Sequence, residues 1–179
     1  MKKLALILGI ALVTAMCSPA SASPVLGGQL FAADSNTDVT VEVLNASASY
    51  ISELWLYAPG TPVFVATNQD TGTIVNLGKF SAGVELLFGI YVRNTGYTFY
   101  MGPGSRNPDG WIHAQVDYLG GGQATVGIGG FEDLYNGGDQ DYNDCMFKFT
   151  NVVAPEPSAL VVLASGLTGL GGLVLRRKR

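Results

Sequence analysis

Short runs of β-type residues recur through the middle of the chain, and turn-forming residues separate them. In VTVEVLN, the residues Val39, Val41 and Val43 alternate with other side chains, as one buried face of a strand requires. Between the two terminal segments there is no long stretch with a helical period, so helix is expected to be scarce. The pattern predicts an all-β fold, an antiparallel β-sandwich of jelly-roll type, with strands in residues 39–45, 50–58, 62–67, 72–80, 84–94, 97–102, 110–119, 123–131 and 143–152.

The N-terminal end has a different composition from this middle part. Met-Lys-Lys precedes an apolar run over residues 4–16, and the small residues Ala-Ser-Ala follow at 20–22. This order predicts a secretory signal peptide over residues 1–22 that signal peptidase removes. Cys17 leaves a lipoprotein alternative open, although Met16 before it does not suit that pathway.

The C-terminal end is apolar and then basic. Pro155, Glu156 and Pro157 precede an uncharged run over residues 158–175, and four basic residues, 176–179, close the chain. A helix of this length, at about 1.5 Å per residue, approaches the thickness of a bilayer core, and the basic residues favour the cytoplasmic side. The simplest interpretation is a single-pass membrane anchor.

A more specific interpretation comes from a resemblance. The segment PEPSALVVLASGLTGLGGLVLRRKR resembles a PEP-CTERM sorting signal in its Pro-Glu-Pro motif, its apolar helix and its basic tail. The resemblance implies that residues 151–157 are a linker and residues 158–179 a transmembrane sorting helix with a basic tail. It also implies that an exosortase removes this tail and releases or attaches the protein outside a bacterium that makes exopolysaccharide.

The charge of the part between these ends limits the possible partners. The whole chain has a formal charge of −4, but six of its ten basic residues lie in the two terminal segments. Residues 23–157 contain four basic and fourteen acidic residues, a net charge of −10. Such a surface argues against nucleic acid and favours cations. Residues 23–150 suit one domain, and Cys145 as its single cysteine excludes an intrachain disulfide.

The segment FEDLYNGGDQDYNDCMF, residues 131–147, concentrates acidic side chains between apolar ones. Oxygen ligands at alternate positions after a flexible Gly-Gly pair are typical of a loop that binds Ca²⁺. The loop is no EF-hand, because Asp144 stands where that motif has glycine and Thr150 where it has glutamate. A solvated acidic turn is the alternative. The predicted metal ligands are Glu132, Asp133, Asp139, Asp141, Asn143 and Asp144.

A second resemblance covers roughly residues 70–150. The segments GVELLFGIYV, YTFYMGPGSRNPDGWIHAQV and GIGGFEDLYNGGDQDYNDCMF resemble a module of secreted bacterial proteins, domain-of-unknown-function family 4114. Cys145 stands where such modules often have an apolar residue. The resemblance implies a β-rich module with the acidic site described above. It also permits an enzymatic activity, of which the acidic residues of this family have been suspected.

A second polar cluster, Asn107, Asp109 and His113, lies in SRNPDGWIHAQV. Asn-Pro-Asp-Gly is typical of a tight turn, and Asp109 and His113 are second candidates for the acidic site. If residues 111–119 form a strand, His113 shares a face with Trp111, Gln115 and Asp117. Trp55 and Trp111 are interpreted as core or half-buried strand residues rather than sugar-stacking platforms, and Cys145 as a buried thiol.

Together these observations predict a non-catalytic extracellular module of the cell surface or exopolysaccharide matrix, stabilised by calcium and exported through signal peptidase and an exosortase. Two alternatives from other classes stay open. One is a glycan-binding, lectin-like module, and the other is a glycan hydrolase in which Glu132 and Asp141 act as acid and base. An enzyme would be expected to have an aromatic cleft and a longer chain.

Overall fold

The computed structural model describes residues 23–119 and 125–155, and the predicted signal peptide and sorting helix lie outside them. The described part is all-β with antiparallel strand pairs, which confirms the predicted all-β, antiparallel class. None of its helical segments has the length and apolar character needed to cross a membrane.

Twelve strands form two sheets among the described residues. The first sheet has the order β1-β9-β10-β11-β3-β6, and the second has the order β12-β2-β7-β4-β5 with β8 paired to β7. The strands are β1 (Val25–Leu26), β2 (Leu30–Ala32), β3 (Val39–Val43), β4 (Ser52–Ala58), β5 (Val63–Thr67), β6 (Ile74–Gly78), β7 (Glu85–Val92), β8 (Thr98–Tyr100), β9 (Ala114–Leu119), β10 (Val126–Phe131), β11 (Cys145–Thr150) and β12 (Val152–Val153).

The two sheets pack face to face around one apolar core. Strand β4 alternates buried and half-buried residues, as a strand with one face on the core requires. Phe88 on β7 meets Phe149 on β11 with ring centroids 4.6 Å apart, so side chains of both sheets fill the space between them. This is the arrangement of a β-sandwich.

Each of the nine predicted runs contains one strand, β3 to β11 in order. Strands β1, β2 and β12 are too short to give a pattern in the sequence. The last predicted run divides at Asn151, whose φ of 55° turns the chain from the first sheet into the second. The run at 110–119 forms a strand only from Ala114 onwards, which changes the position of His113.

Candidate metal centre

The acidic loop connects β10 and β11, which are neighbours in the first sheet and whose last pair is Phe131 with Cys145. Its backbone is unusual, because several residues have φ in the left-handed region that favours glycine. They are Asn136, Gly137, Gly138, Gln140 and Tyr142. Tyr142 is nevertheless buried, and its hydroxyl donates a hydrogen bond of 3.1 Å to the Ile112 carbonyl. The loop therefore folds back onto the sandwich instead of extending into solvent.

This folding buries two carboxylates. Glu132 is 1% exposed and Asp133 is 3% exposed, whereas Asp139 and Asp141 are on the surface. Asp144 is half-buried and lies beside the buried pair. A solvated acidic turn would leave all of these side chains in water, so that alternative does not describe Glu132 and Asp133.

The buried carboxylates receive hydrogen bonds from neutral donors. The Gln140 backbone N–H donates to Glu132 Oε2 over 3.1 Å, and the Ser52 hydroxyl donates to Asp133 Oδ2 over 3.2 Å. The Asp133 N–H donates to Asp144 Oδ2 over 3.1 Å. These bonds orient the carboxylates without neutralising their charge.

Three of the four Lys and Arg side chains in the described part of the chain form ion pairs away from the acidic loop. Lys148, the nearest base in the sequence, pairs with Glu42 at 3.0 Å. Arg93 pairs with Glu53 and Arg106 with Glu85. None of the ion pairs formed by residues 23–119 and 125–155 includes a carboxylate of the acidic loop.

The environment of Glu132 and Asp133 makes their carboxyl groups difficult to ionise. Burial, together with the nearby Asp144 and Asp139 carboxylates, raises the pKa of Glu132 to about 8. Burial, together with the charge of Asp144, raises the pKa of Asp133 to about 6. Both shifts arise from burial and like-charge repulsion, and no ion pair among the described residues offsets them.

The carboxylate oxygens converge in two overlapping groups. Glu132, Asp133 and Asp144 form the first group, and Glu132, Asp139 and Asp141 form the second, each with oxygens within 4.8 Å of one another. Glu132 belongs to both groups and so lies at the centre of the predicted ligand set. Asn143 joins the second group indirectly, because its side-chain amide and its backbone N–H both donate to Asp141.

Two glycines allow this close approach. A Cβ added at Gly138 would overlap the Glu132 carboxylate, and one added at Gly130 would overlap the Tyr142 carbonyl oxygen. Gly138 also has a φ of 42°, which L side chains rarely adopt. The Gly137–Gly138 pair predicted from sequence to be flexible is thus a position where the backbone wraps around a carboxylate.

His113 and Asp109 reach the acidic loop, as the second set of candidates required. The two side chains are buried, with 2.8 Å between Nε2 and Asp109 Oδ2. His113 Nδ1 lies 2.9 Å from the Glu132 carbonyl oxygen, and Asp109 Oδ2 accepts the Asn136 N–H over 2.7 Å. Burial tends to raise the pKa of Asp109, but hydrogen bonds from Asn136, His113 and Trp111 outweigh it and lower the pKa. The pair supports the loop backbone.

The prediction that His113 lies on a strand face is wrong. Strand β9 begins at Ala114, so the buried His113 does not share a face with Gln115 and Asp117, which are half-buried on the outer side. Its ring stacks on Phe99, with centroids 3.7 Å apart. The prediction that Trp111 is a core or half-buried strand residue is wrong, because Trp111 is exposed and lies outside the strand, whereas Trp55 is half-buried on β4 as predicted. Asn107 supports the turn itself by binding the backbone of Tyr100 and Trp111.

Sequence reasoning missed two residues on the far side of the site. Ser52 binds Asp133 from β4, and Asn68 donates to the Asp144 carbonyl over 3.3 Å. Neither belongs to a motif, so only the packing of β4 against the acidic loop identifies them. Cys145 beside them is a buried thiol whose pKa is raised by burial, which agrees with the prediction.

Comparison with known proteins gives one match. A family model described as a domain of unknown function (DUF4114) matches residues 56–151, more than half of the 179 residues of the chain. The match includes the acidic loop, β4 from Leu56 onwards and the turn that carries Asp109. No curated protein and no solved structure matches the chain.

Proposed function

Since the chain belongs to the DUF4114 family, we propose that it is a non-catalytic, exported module whose acidic loop is stabilised by calcium. The observation that carries the proposal is the burial of Glu132 and Asp133 beside Asp144, with no basic side chain in contact among the described residues. An uncompensated buried charge costs several kcal/mol, and a divalent cation removes that cost for several carboxylates at once.

The donor set favours a hard cation. The converging atoms are carboxylate oxygens, and the single histidine is turned toward Asp109 and the Glu132 carbonyl instead. Calcium accepts six to eight oxygens and tolerates irregular loop geometry, whereas zinc prefers nitrogen and sulfur. Glu132, Asp133 and Asp144 would hold the ion from the sandwich side, and Asp139, Asp141 and Asn143 from the solvent side. The ion would supply positive charge and rigidity.

The burial of Glu132 argues against a glycan hydrolase. A general acid must reach the glycosidic oxygen of its substrate, and Glu132 is covered by the loop and by Gly138. Asp141 is exposed and accepts hydrogen bonds from Asn143. Carboxylates in these positions suit ligation of an ion better than acid–base work on a glycan.

Calcium binding is tested by thermal unfolding of the purified protein in EDTA and in millimolar calcium. Extracellular calcium sites often have Kd values of about 0.1–1 mM, and a tenfold excess of ligand then adds about 1.4 kcal/mol of stability. We expect Tm to rise by several degrees with calcium and by less with magnesium, which demands a regular octahedron. Identical melting curves in EDTA and calcium would contradict the proposal.

Export is a separate part of the proposal, supported by the sequence of the two ends. We propose that signal peptidase removes residues 1–22 and that an exosortase cuts near Pro155, Glu156 and Pro157, so that the product is released or attached at the cell surface or in the exopolysaccharide matrix. The mass of the intact protein from its native cells should therefore lack both the first 22 residues and the basic tail. A product that retains Arg179 would indicate a plain membrane anchor instead.

A further inference from the structure

An aromatic row crosses the outer face of the second sheet. In the strand register, Phe64 on β5 lies opposite Trp55 on β4, Trp55 opposite Gly89 on β7, and Gly89 opposite Tyr100 on β8. Trp55 and Tyr100 alternate with core residues and Phe64 is exposed, so the side chains of this row lie on the face away from the sandwich interior. Four strands at about 4.8 Å spacing give the row a length of about 14 Å.

The rings in this row contact one another. Trp55 and Phe64 have centroids 5.6 Å apart, and Tyr57, which follows on the same face of β4, lies 4.9 Å from Tyr100. Gly89 makes this possible, because a Cβ there would meet both the Tyr57 and the Tyr100 rings within 3.1 Å. Phe64 is 45% exposed, and the other three rings are half-buried. The result is a connected aromatic patch in which Trp55 meets Phe64, and Tyr57 meets Tyr100, edge to face.

A polar row runs beside the aromatic row. It contains Glu53, two residues before Trp55 on β4. Glu53 lies opposite Thr67 on β5 and opposite Tyr91 on β7. Tyr91 in turn lies opposite Thr98 on β8. Glu53 binds both the Trp55 indole N–H, over 2.9 Å, and Arg93, over 2.6 Å. These bonds hold the Trp55 ring in one orientation and place hydroxyl, carboxylate and guanidinium groups along its edge.

We propose that this face, formed by Trp55, Tyr57, Phe64 and Tyr100 with the polar row at Glu53, binds a neutral polysaccharide in an extended conformation. A pyranose ring has an apolar face of C–H groups and a rim of hydroxyls. The aromatic row matches the apolar face, and the polar row matches the rim, because carboxylate and guanidinium groups accept and donate hydrogen bonds.

The charge of the protein selects a neutral glycan over an anionic one. Residues 23–157 have a net charge of −10, and Arg93 on this face is already paired with Glu53. An acidic polysaccharide would meet repulsion, and Arg93 is not free to offset it. The site lies on the outer face of the second sheet, whereas β10 and β11, which carry the acidic loop, belong to the first sheet, so none of its side chains is a predicted ligand of the calcium ion.

The test measures retention of the full chain on insoluble polysaccharides. The buffer contains calcium and a detergent without a sugar headgroup. Cellulose, chitin and insoluble β-1,3-glucan are the neutral probes, and alginate is the anionic one. We expect retention on at least one neutral probe and little on alginate. Trp55→Ala and Tyr100→Ala should each weaken binding about tenfold, as for a central aromatic contact. Trp111→Ala, which removes an exposed tryptophan outside this face, should bind like the unaltered protein.

Fluorescence separates loss of binding from loss of folding. The chain has two tryptophans, so Trp111→Phe leaves Trp55 as the single reporter. Soluble oligosaccharides of the retained glycan should change the fluorescence emission of Trp55 in this variant. In Trp55→Phe, where Trp111 is the reporter, the same oligosaccharides should leave the emission unchanged. Three results would overturn the proposal: no retention on any neutral probe, equal retention of Trp55→Ala, or a concentration-dependent dimer that Trp55→Ala abolishes. The last would assign this face to a second copy of the chain.

Discussion

Replacing Glu132 with glutamine is expected to stabilise the metal-free protein at pH 8 and to remove most of its response to calcium. Glutamine keeps the shape of the side chain in the space beside Gly138 and removes the charge at the centre of both carboxylate groups. Without metal, the variant avoids an uncompensated buried charge, so Tm should rise by several degrees. With calcium, it lacks the ligand shared by both groups, and the increase in Tm on adding calcium should largely disappear.

The stabilising effect of Glu132→Gln in the metal-free protein depends on pH. In the metal-free protein the pKa of Glu132 is about 8 when folded and near 4.5 when unfolded, so the folded state binds more protons between these values. The contribution of Glu132 to stability in EDTA should therefore be largest below about pH 4.5 and fall as the pH rises to about 8. Glu132→Gln should show a smaller fall, because the raised pKa of Asp133, about 6, still contributes its own part.

Asp117→Asn is the matched control for this experiment. Asp117 is a half-buried carboxylate on β9, outside the acidic loop, and its replacement should leave the calcium response unchanged. Asp34 is a poor control although it is distant in sequence, because it accepts the Asn36 and Thr37 N–H groups and stabilises its own turn. If Glu132→Gln lowered Tm in EDTA at pH 8, or kept the full calcium response, Glu132 would not be the central ligand.

Gly130→Ala is expected to have the largest effect on stability. An added Cβ would overlap the carbonyl oxygen of Tyr142, a backbone atom that cannot rotate away. The peptide of Tyr142 would have to move and draw the acidic loop off the sandwich. Overpacking of this kind costs about 1–3 kcal/mol or more, which corresponds to a fall in Tm of about 10 °C for a domain of this size. Calcium binding should weaken in parallel, because Tyr142 lies between Asp141 and Asn143.

Gly127→Ala in the same strand provides the comparison. Its added Cβ would meet side-chain carbons of Leu30, Val116 and Val152 at 3.2–3.5 Å, and these groups can adjust. Alanine also favours the folded strand relative to glycine by about 0.5–1 kcal/mol. Unfolding curves of the two variants should therefore differ by many degrees. Equal stability of the two would mean that the loop does not lie against Gly130.

The strands of this protein could be predicted because their signals are local. Alternation such as that of Val39, Val41 and Val43, ended by turn residues, reflects burial of one face and requires no knowledge of the partner strand. The density of acidic residues between apolar ones in residues 131–147 identified the candidate site for the same reason. What the pattern could not show was that Glu132 and Asp133, and not the alternating Asp139 and Asp141, are the buried members.

Tertiary packing decided everything that depends on residues distant in the sequence. Ser52 reaches Asp133, and Asp109 with His113 reaches the loop backbone, because β4 and the turn before β9 pack beside it. The aromatic row of Phe64, Trp55 and Tyr100 arises from the register of four strands, which bulges in β4 and β5 shift. The sequence alone determined the approximate positions of strands β3 to β11 and where acidic charge accumulates, since both follow from neighbours along the chain. Strand register and loop packing determined which groups meet, because that depends on contacts between segments that local pattern does not encode.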